Sequence, residues 1–154
     1  KQMRERGITA TFQGPYCIES SAFIDILANA AVGAYYTTVA GPVEKYPAAK
    51  AFSEKFAARF NRSPEAYVLY AYDAAQVILD AIEAAIKSQG GKKPTRLQVA
   101  QAVRAVQREG ITGPIAFNEN GDRVQADYWI IHFEEAKYPG TAVKSITAAP
   151  PSKK

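Results

Sequence analysis

Three consecutive segments near the amino end limit what this chain can become. Residues 8–13, ITATFQ, read as a strand; residues 20–30, SSAFIDILANA, read as a helix opened by a serine N-cap; residues 33–39, GAYYTTV, read as a second strand. A parallel strand pair needs a connection of about a dozen residues or more, whereas a hairpin closes in two to five. Strand, helix, strand at this spacing therefore suits a right-handed parallel crossover, and an α/β architecture with helices against a sheet follows.

Helices dominate the middle of the sequence. After the Gly41-Pro42 loop, the segment PAAKAFSEKFAARFN carries Phe52, Phe56 and Phe60 at every fourth residue, with Lys50, Glu54 and Arg59 elsewhere, which predicts an amphipathic helix with an aromatic stripe toward the core. Ser63-Pro64-Glu65 predicts the start of a second helix, with Ser63 as N-cap and Pro64 in the first helical position. Leu69, Tyr72, Ala75, Leu79, Ile82 and Ile86 fall on one stripe of it, and Gly90-Gly91 ends it. On this pattern Asp73 and Asp80 are expected in solvent and Tyr72 in the core. Thr95 is expected to cap a shorter helix built on Leu97, Val99, Val103 and Val106.

Near the end, GPIAFNENGDRVQADYWIIHF predicts a strand, a tight Asn-Glu-Asn-Gly turn and a longer second strand in a hairpin over 113–134. Tyr128, Ile130 and His132 alternate with Trp129, Ile131 and Phe133, so both faces of that strand are expected to be covered. Two parallel strands and a late hairpin are few for a sheet, since typical sheets have about five strands. A portion of a larger fold is the expectation, and the tail 148–154 is expected to be loose.

Composition excludes several functions. With 47% hydrophobic and 22% charged residues the chain reads as an ordinary soluble globular one, and no apolar run is long enough for a spanning helix. The opening KQMRER is followed by Gly7 and a strand-like run rather than a signal-peptide core, so export is absent or the signal is already gone. The net charge of +4 comes from basic residues scattered at the amino end, at 91–96 and at the tail, without a stripe interleaved with aromatics, so no nucleic-acid partner is expected. One cysteine, Cys17, and one histidine, His132, supply neither an internal disulfide nor a metal set, and no cofactor is expected. A Cys17–His132 nucleophile pair lacks a third orienting group; His132 is expected to pack on its strand.

Three segments in order, KQMRERGITATFQGPY, AFSEKFAARFNRSPEAYVLYAYDAAQVILDAIEAA and GITGPIAFNENGDRVQADYWIIHF, carry a family likeness. The chain resembles the C-terminal half of a branched-chain amino-acid type (type I) periplasmic solute-binding protein of an ABC importer. The resemblance implies a partial type I fold drawn from two α/β lobes: residues 1–42 as part of the second lobe, 43–112 as a helical part of the first, and 113–147 as a return to the second. It also implies that the strands missing beside the hairpin lie in an absent half, so that another chain or the rest of the same protein completes the fold. Periplasmic location, a small-molecule solute and a membrane permease are the implied setting.

Ligands in open α/β sheets settle at the carboxyl ends of strands, which favours the loop Gln13-Gly14-Pro15-Tyr16-Cys17 over Ala40-Gly41-Pro42-Val43. Tyr16 offers a flat apolar face and a hydroxyl. By the resemblance, Gly14 and Pro15 keep the family's loop and Tyr67 stands at its aromatic position, with Tyr70 one helical turn later. The family's next residue is a glutamate that holds the ligand's ammonium group; here it is Tyr16, which cannot neutralise that charge. Aromatic or aliphatic carboxylates and amino acids both stay open as solutes, the latter if Glu19 restores the charge. A solute-binding module without catalysis is the reading favoured over a small α/β enzyme, which would need a titratable constellation, and over a ligand-sensing domain of a receptor or regulator.

Overall fold

Residue by residue, strand β2 (Tyr35–Thr38) alternates half-buried and buried positions, with Tyr36 and Thr38 inside. That alternation sets one face of a four-stranded sheet of order β1-β2-β5-β6, in which β1 is Gln13–Gly14, β5 is Ala126–His132 and β6 is Thr141–Ala148. The computed structural model describes residues 1–150 and divides them mainly into two units: Lys1–Pro42 with Asp127–Ala148, and Val43–Ala126. The end of the expected loose tail, 151–154, lies outside the described residues.

In the first unit β1 and β2 are parallel, with Gln13 opposite Tyr35 and Gly14 opposite Tyr36, while β2 and β5 are antiparallel, with Tyr36 opposite Ile131 and Thr38 opposite Trp129. Ala34, Tyr36, Ile131 and Phe133 form the core, and Phe23 and Ile24 of helix α2 (Ser21–Leu27) pack on it together with Ile18. The Phe133 ring sits 5.4 Å from Phe23 and 5.3 Å from Tyr36, centroid to centroid. Each such side chain stabilises the fold by about 2 kcal/mol through burial. Ser20 caps α2 by accepting from the amide of Ala22, as expected, and Ala28, with φ 47°, ends it three residues before the predicted limit.

Of the strand predicted over 8–13 only Gln13 falls in β1, and the Phe12 carbonyl before it accepts from the amide of Tyr35 at 2.9 Å. Upstream of it Arg4, on a short helix α1 (Gln2–Glu5), donates its guanidinium to the carbonyls of Ile8 at 2.7 Å and Ala10 at 2.9 Å. Those acceptors are taken by a side chain instead of a neighbouring strand.

The second unit is built on helices α3 (Lys50–Phe60), α4 (Ala66–Ser88) and α5 (Arg96–Ala105). The phenylalanine ladder forms as predicted, Phe52 to Phe56 at 5.9 Å and Phe56 to Phe60 at 4.6 Å, though its last member, Phe60, is exposed. Asn61 closes α3 in the left-handed region with φ 51°. Helix α4 starts at Ala66, with Glu65 rather than Ser63 in the N-cap position and no side-chain cap. Ser63 and Pro64 lie ahead of the helix, with Pro64 buried in the approach to it.

The buried stripe of α4 is Ala66, Leu69, Asp73, Val77, Ala81 and Ala85, rotated from the predicted one. Tyr72 packs on Phe52 at 4.7 Å but is partly exposed, and Leu79 is 58% exposed. Asp73, expected in solvent, is 3% exposed. Its carboxylate accepts from the amides of Ile111 (3.0 Å) and Thr112 (2.9 Å) and from the Thr112 hydroxyl (2.6 Å), three bonds that draw its side of the helix inward. Asp80 pairs with Arg108. Thr95 and Gln98 form a reciprocal capping box on α5, as the sequence predicts for Thr95.

The strands predicted as one hairpin over 113–134 pair differently. Strand β4 (Gly113–Ile115) pairs back onto β3 (Arg108–Gly110), and Gly113 takes φ 98°, where glycine is favoured. The expected turn is present: the Asn118 side-chain oxygen accepts from the amides of Asn120 and Asp122, both at 2.9 Å, and Phe117 bridges Arg123. Beyond it β5 leaves the helical unit for the larger sheet, where β2 and β6 flank it. The strand expected to lack neighbours thus has two, and the terminal positions of the sheet fall to β1 and β6.

Candidate functional site

In the first unit the loop after β1 is shaped by a glycine. Gly14 is buried, and a Cβ there would meet Ile18 Cδ1 at 2.8 Å and the Phe12 ring at 3.2 Å, so a larger residue would require those side chains to shift. Pro15 continues in extended geometry, with φ −76° and ψ 177°, and Tyr16–Ile18 form one 3-10 turn in which the amide of Glu19 donates to the Tyr16 carbonyl at 2.9 Å. Gly14, Pro15 and Tyr16 are thereby set at the carboxyl ends of the two parallel strands, with Tyr16 61% exposed.

Glu19 closes that turn and is only 9% exposed. Thr38, the last residue of β2, donates its hydroxyl to Glu19 Oε2 at 2.6 Å, and Thr38 Oγ1 itself accepts from the amide of Ala40 at 3.0 Å. The loop thus carries an inward carboxylate alongside its outward phenol. Thr38 went unnoticed in the sequence because a threonine in a strand is ordinary. Beside this pair, Gly41 lies against the indole of Trp129: a Cβ on Gly41 would come within 2.5 Å of Trp129 Cε2 and Nε1.

In the second unit Tyr67 and Tyr70 stand in the first turns of α4, their ring centroids 6.3 Å apart and tilted by 48°. The helix spacing that suggested a shared face for them therefore does bring them together. Tyr46, from the 3-10 stretches that precede α3, meets Tyr70 edge-on at 85° and shares a hydroxyl hydrogen bond with it at 3.1 Å. Nothing in the local sequence marks Tyr46, because its partner lies in a different helix. The three rings can stack on and hydrogen-bond an organic solute.

Cys17 is exposed. His132 stacks on Tyr35 at 4.2 Å with 9° between the rings, the packing expected of it. Among the described residues no group of three or more His, Cys, Asp or Glu is placed to hold a metal ion, and no helix is long and apolar enough to cross a membrane.

Residues 1–138 match the family model described as periplasmic binding protein. The chain is 32% identical over 136 residues to a leucine-, isoleucine-, valine-, threonine- and alanine-binding protein of Pseudomonas aeruginosa, a match covering 88% of this chain and 34% of that protein. The crystal structure of a leucine binding protein from Thermotoga maritima superposes with a TM-score of 0.78 at 26% identity, covering 97% of this chain and 40% of that one. A branched-chain amino acid transporter substrate binding protein from Streptococcus pneumoniae, in complex with isoleucine, gives a TM-score of 0.73 at 20% identity, with 97% and 40% covered. The chain spans between a third and two fifths of the length of these relatives.

Proposed function

The chain belongs to the periplasmic binding protein family, and from that premise we propose that it forms part of the substrate-binding component of an ABC importer. In this reading Lys1–Pro42 with Asp127–Ala148 belongs to one lobe and the helical unit to the other. A small solute is held between the lobes, binds their closed arrangement more tightly than the open one, and so shifts the population toward closure. No bond is made or broken. The setting is the periplasm and the downstream partner a membrane permease.

One observation carries the reading: the Gly14-Pro15-Tyr16 loop stands at the carboxyl ends of a parallel strand pair, the place where open α/β sheets take ligands. Tyr16 is the proposed contact from this lobe, and Tyr67 and Tyr70 the contacts from the other. Micromolar affinity requires about 8 kcal/mol, within reach of a small solute buried against aromatic rings with a few aimed polar groups. Ile78 and Leu79 on α4 and Leu97 on α5, the last 68% exposed, are proposed to be covered by the additional polypeptide that the relatives carry.

A thermal-shift screen of the full-length polypeptide carrying this chain, against amino acids and aromatic acids, tests the proposal. A solute that binds the native state raises the melting temperature. Tyr67→Ala is expected to abolish that rise; a rise unchanged by Tyr67→Ala places the solute elsewhere.

A further inference from the structure

We infer that Asn120 is a site of spontaneous covalent modification, losing its side-chain ammonia through a succinimide at a pace set by the turn that holds it. Of the chain's asparagines only Asn120 is followed by glycine. Asn29, Asn61 and Asn118 precede Ala30, Arg62 and Glu119, whose side chains crowd the approach of their own backbone nitrogen to the asparagine Cγ. Gly121 brings no such side chain. It stands at φ 88°, and the nearest neighbours of a Cβ built on it would be atoms of the Arg104 guanidinium at 3.9 Å, so there is room for water beside it. The two asparagines of the turn also differ in restraint. Asn118 Oδ1 accepts from the amides of Asn120 and Asp122, both at 2.9 Å, which pins its side chain. The Asn120 side chain is exposed and makes no hydrogen bond among the described residues.

In the reaction the backbone nitrogen of Gly121 attacks Cγ of Asn120. A bond forms between them, the Cγ–Nδ2 bond breaks, and the Gly121 amide proton departs with Nδ2 as ammonia, leaving a succinimide ring. Water then opens the ring. At Cγ it restores the main chain with aspartate at 120; at the main-chain carbonyl it diverts the chain through the side chain as isoaspartate. The attacking nitrogen is committed elsewhere in the folded turn, because the Gly121 amide donates to the Asn118 carbonyl at 2.9 Å. Reaction therefore waits for local opening, which is resisted by the Asn118 amide on the Asp122 carbonyl at 2.8 Å and by the two bonds to Asn118 Oδ1. Either product puts a carboxylate on the turn that Arg104 touches through the Glu119 carbonyl. Isoaspartate also lengthens the main chain by a methylene inside the turn, so Asn118 Oδ1 loses the register in which it accepts from both amides.

The full-length polypeptide carrying this chain, held at mildly alkaline pH and then cut with trypsin, tests this by mass spectrometry of the peptide Glu109–Arg123. Fragmentation is expected to place the exchange of NH2 for OH at Asn120 with Asn118 intact, and to find aspartate and isoaspartate together. The rate should rise with pH, because the attacking nitrogen must lose its proton. Asn118→Ala is expected to speed conversion at Asn120 by roughly 5- to 30-fold, the factor for losing one or two neutral hydrogen bonds. A synthetic peptide of residues 114–125, which lacks the folded turn, supplies the ungated rate without any variant, and the wild-type protein should convert more slowly than it. Conversion first at another asparagine, or none at Asn120 under conditions in which the peptide converts fully, overturns the inference. Equal rates in the wild type and the peptide overturn the control by the turn, as does an Asn118→Ala rate no faster than the wild type. Solute binding stands or falls separately.

Discussion

The indole of Trp129 occupies the space that a side chain on residue 41 would need, its Cε2 and Nε1 lying 2.5 Å from where a Cβ on Gly41 would sit. Gly41 precedes the point where the chain leaves the first unit, and Trp129 follows the point where it returns. Gly41→Ala is therefore expected to displace the indole and to destabilise the protein by about 1–3 kcal/mol, the usual cost of overpacking. Trp129 is the chain's one tryptophan, so urea unfolding followed by its fluorescence reads both the local displacement and the stability loss.

Asp73→Ala would leave the amides of Ile111 and Thr112 and the Thr112 hydroxyl without their acceptor. A loss of about 3 kcal/mol is expected, since buried donors without partners carry their full desolvation penalty. Asp73→Asn keeps one side-chain acceptor and should lose less. Denaturant midpoints of the two variants check the order.

Thr95→Ala removes the hydroxyl that accepts from the Gln98 amide, one of the two bonds of the capping box on α5. About 1 kcal/mol is expected. Amide hydrogen exchange at Gln98 should quicken in the variant, because that amide donates to Thr95 Oγ1.

Glu83 has its carboxyl held below the usual range, first by a hydrogen bond from Lys87 and then by that ammonium's charge. Because the folded value is the lower one, the pair's contribution is present above the ordinary carboxylate range and is lost as pH falls through the depressed value. Lys87→Gln is expected to raise the Glu83 midpoint in an NMR titration. Both groups lie on the surface, so the change in stability should be slight and should shrink further with salt.

The 154-residue chain, studied alone, presents Leu79 and Leu97 to water. Sedimentation is expected to show self-association at rising concentration, relieved in the full-length polypeptide. A lone monomer at all concentrations would count against the proposed covering of those helices.

Much of the fold is legible in short-range chemistry. Ser20 and Thr95 cap their helices where the sequence places them, because a cap depends on residues within one turn. The phenylalanine ladder and the existence of a strand within 33–39 are read equally locally. The failures share a cause in distant partners. Asp73 looks like a surface residue until Ile111 and Thr112 arrive to bond it, and the segment 8–11 looks like a strand although Arg4 takes the carbonyls of Ile8 and Ala10. Strand pairing across 113–134 fails for the same reason: the turn at Asn118 is local, but the preference of β5 for β2 is not. In the candidate site, Tyr16 is marked by its loop, whereas the grip of Thr38 on Glu19 and of Tyr46 on Tyr70 joins residues far apart in sequence.

The pairing of β2 with β5 also sets an order of events during synthesis. Tyr36 waits for Ile131, made roughly ninety residues later, before its sheet can close. The helical segment between them emerges from the ribosome whole and can collapse on its own contacts first. The edge of β2 that awaits β5 is meanwhile an exposed template for the wrong strand. A nascent chain stalled after residue 126 should consequently recruit chaperones far more than one stalled once β6 has emerged.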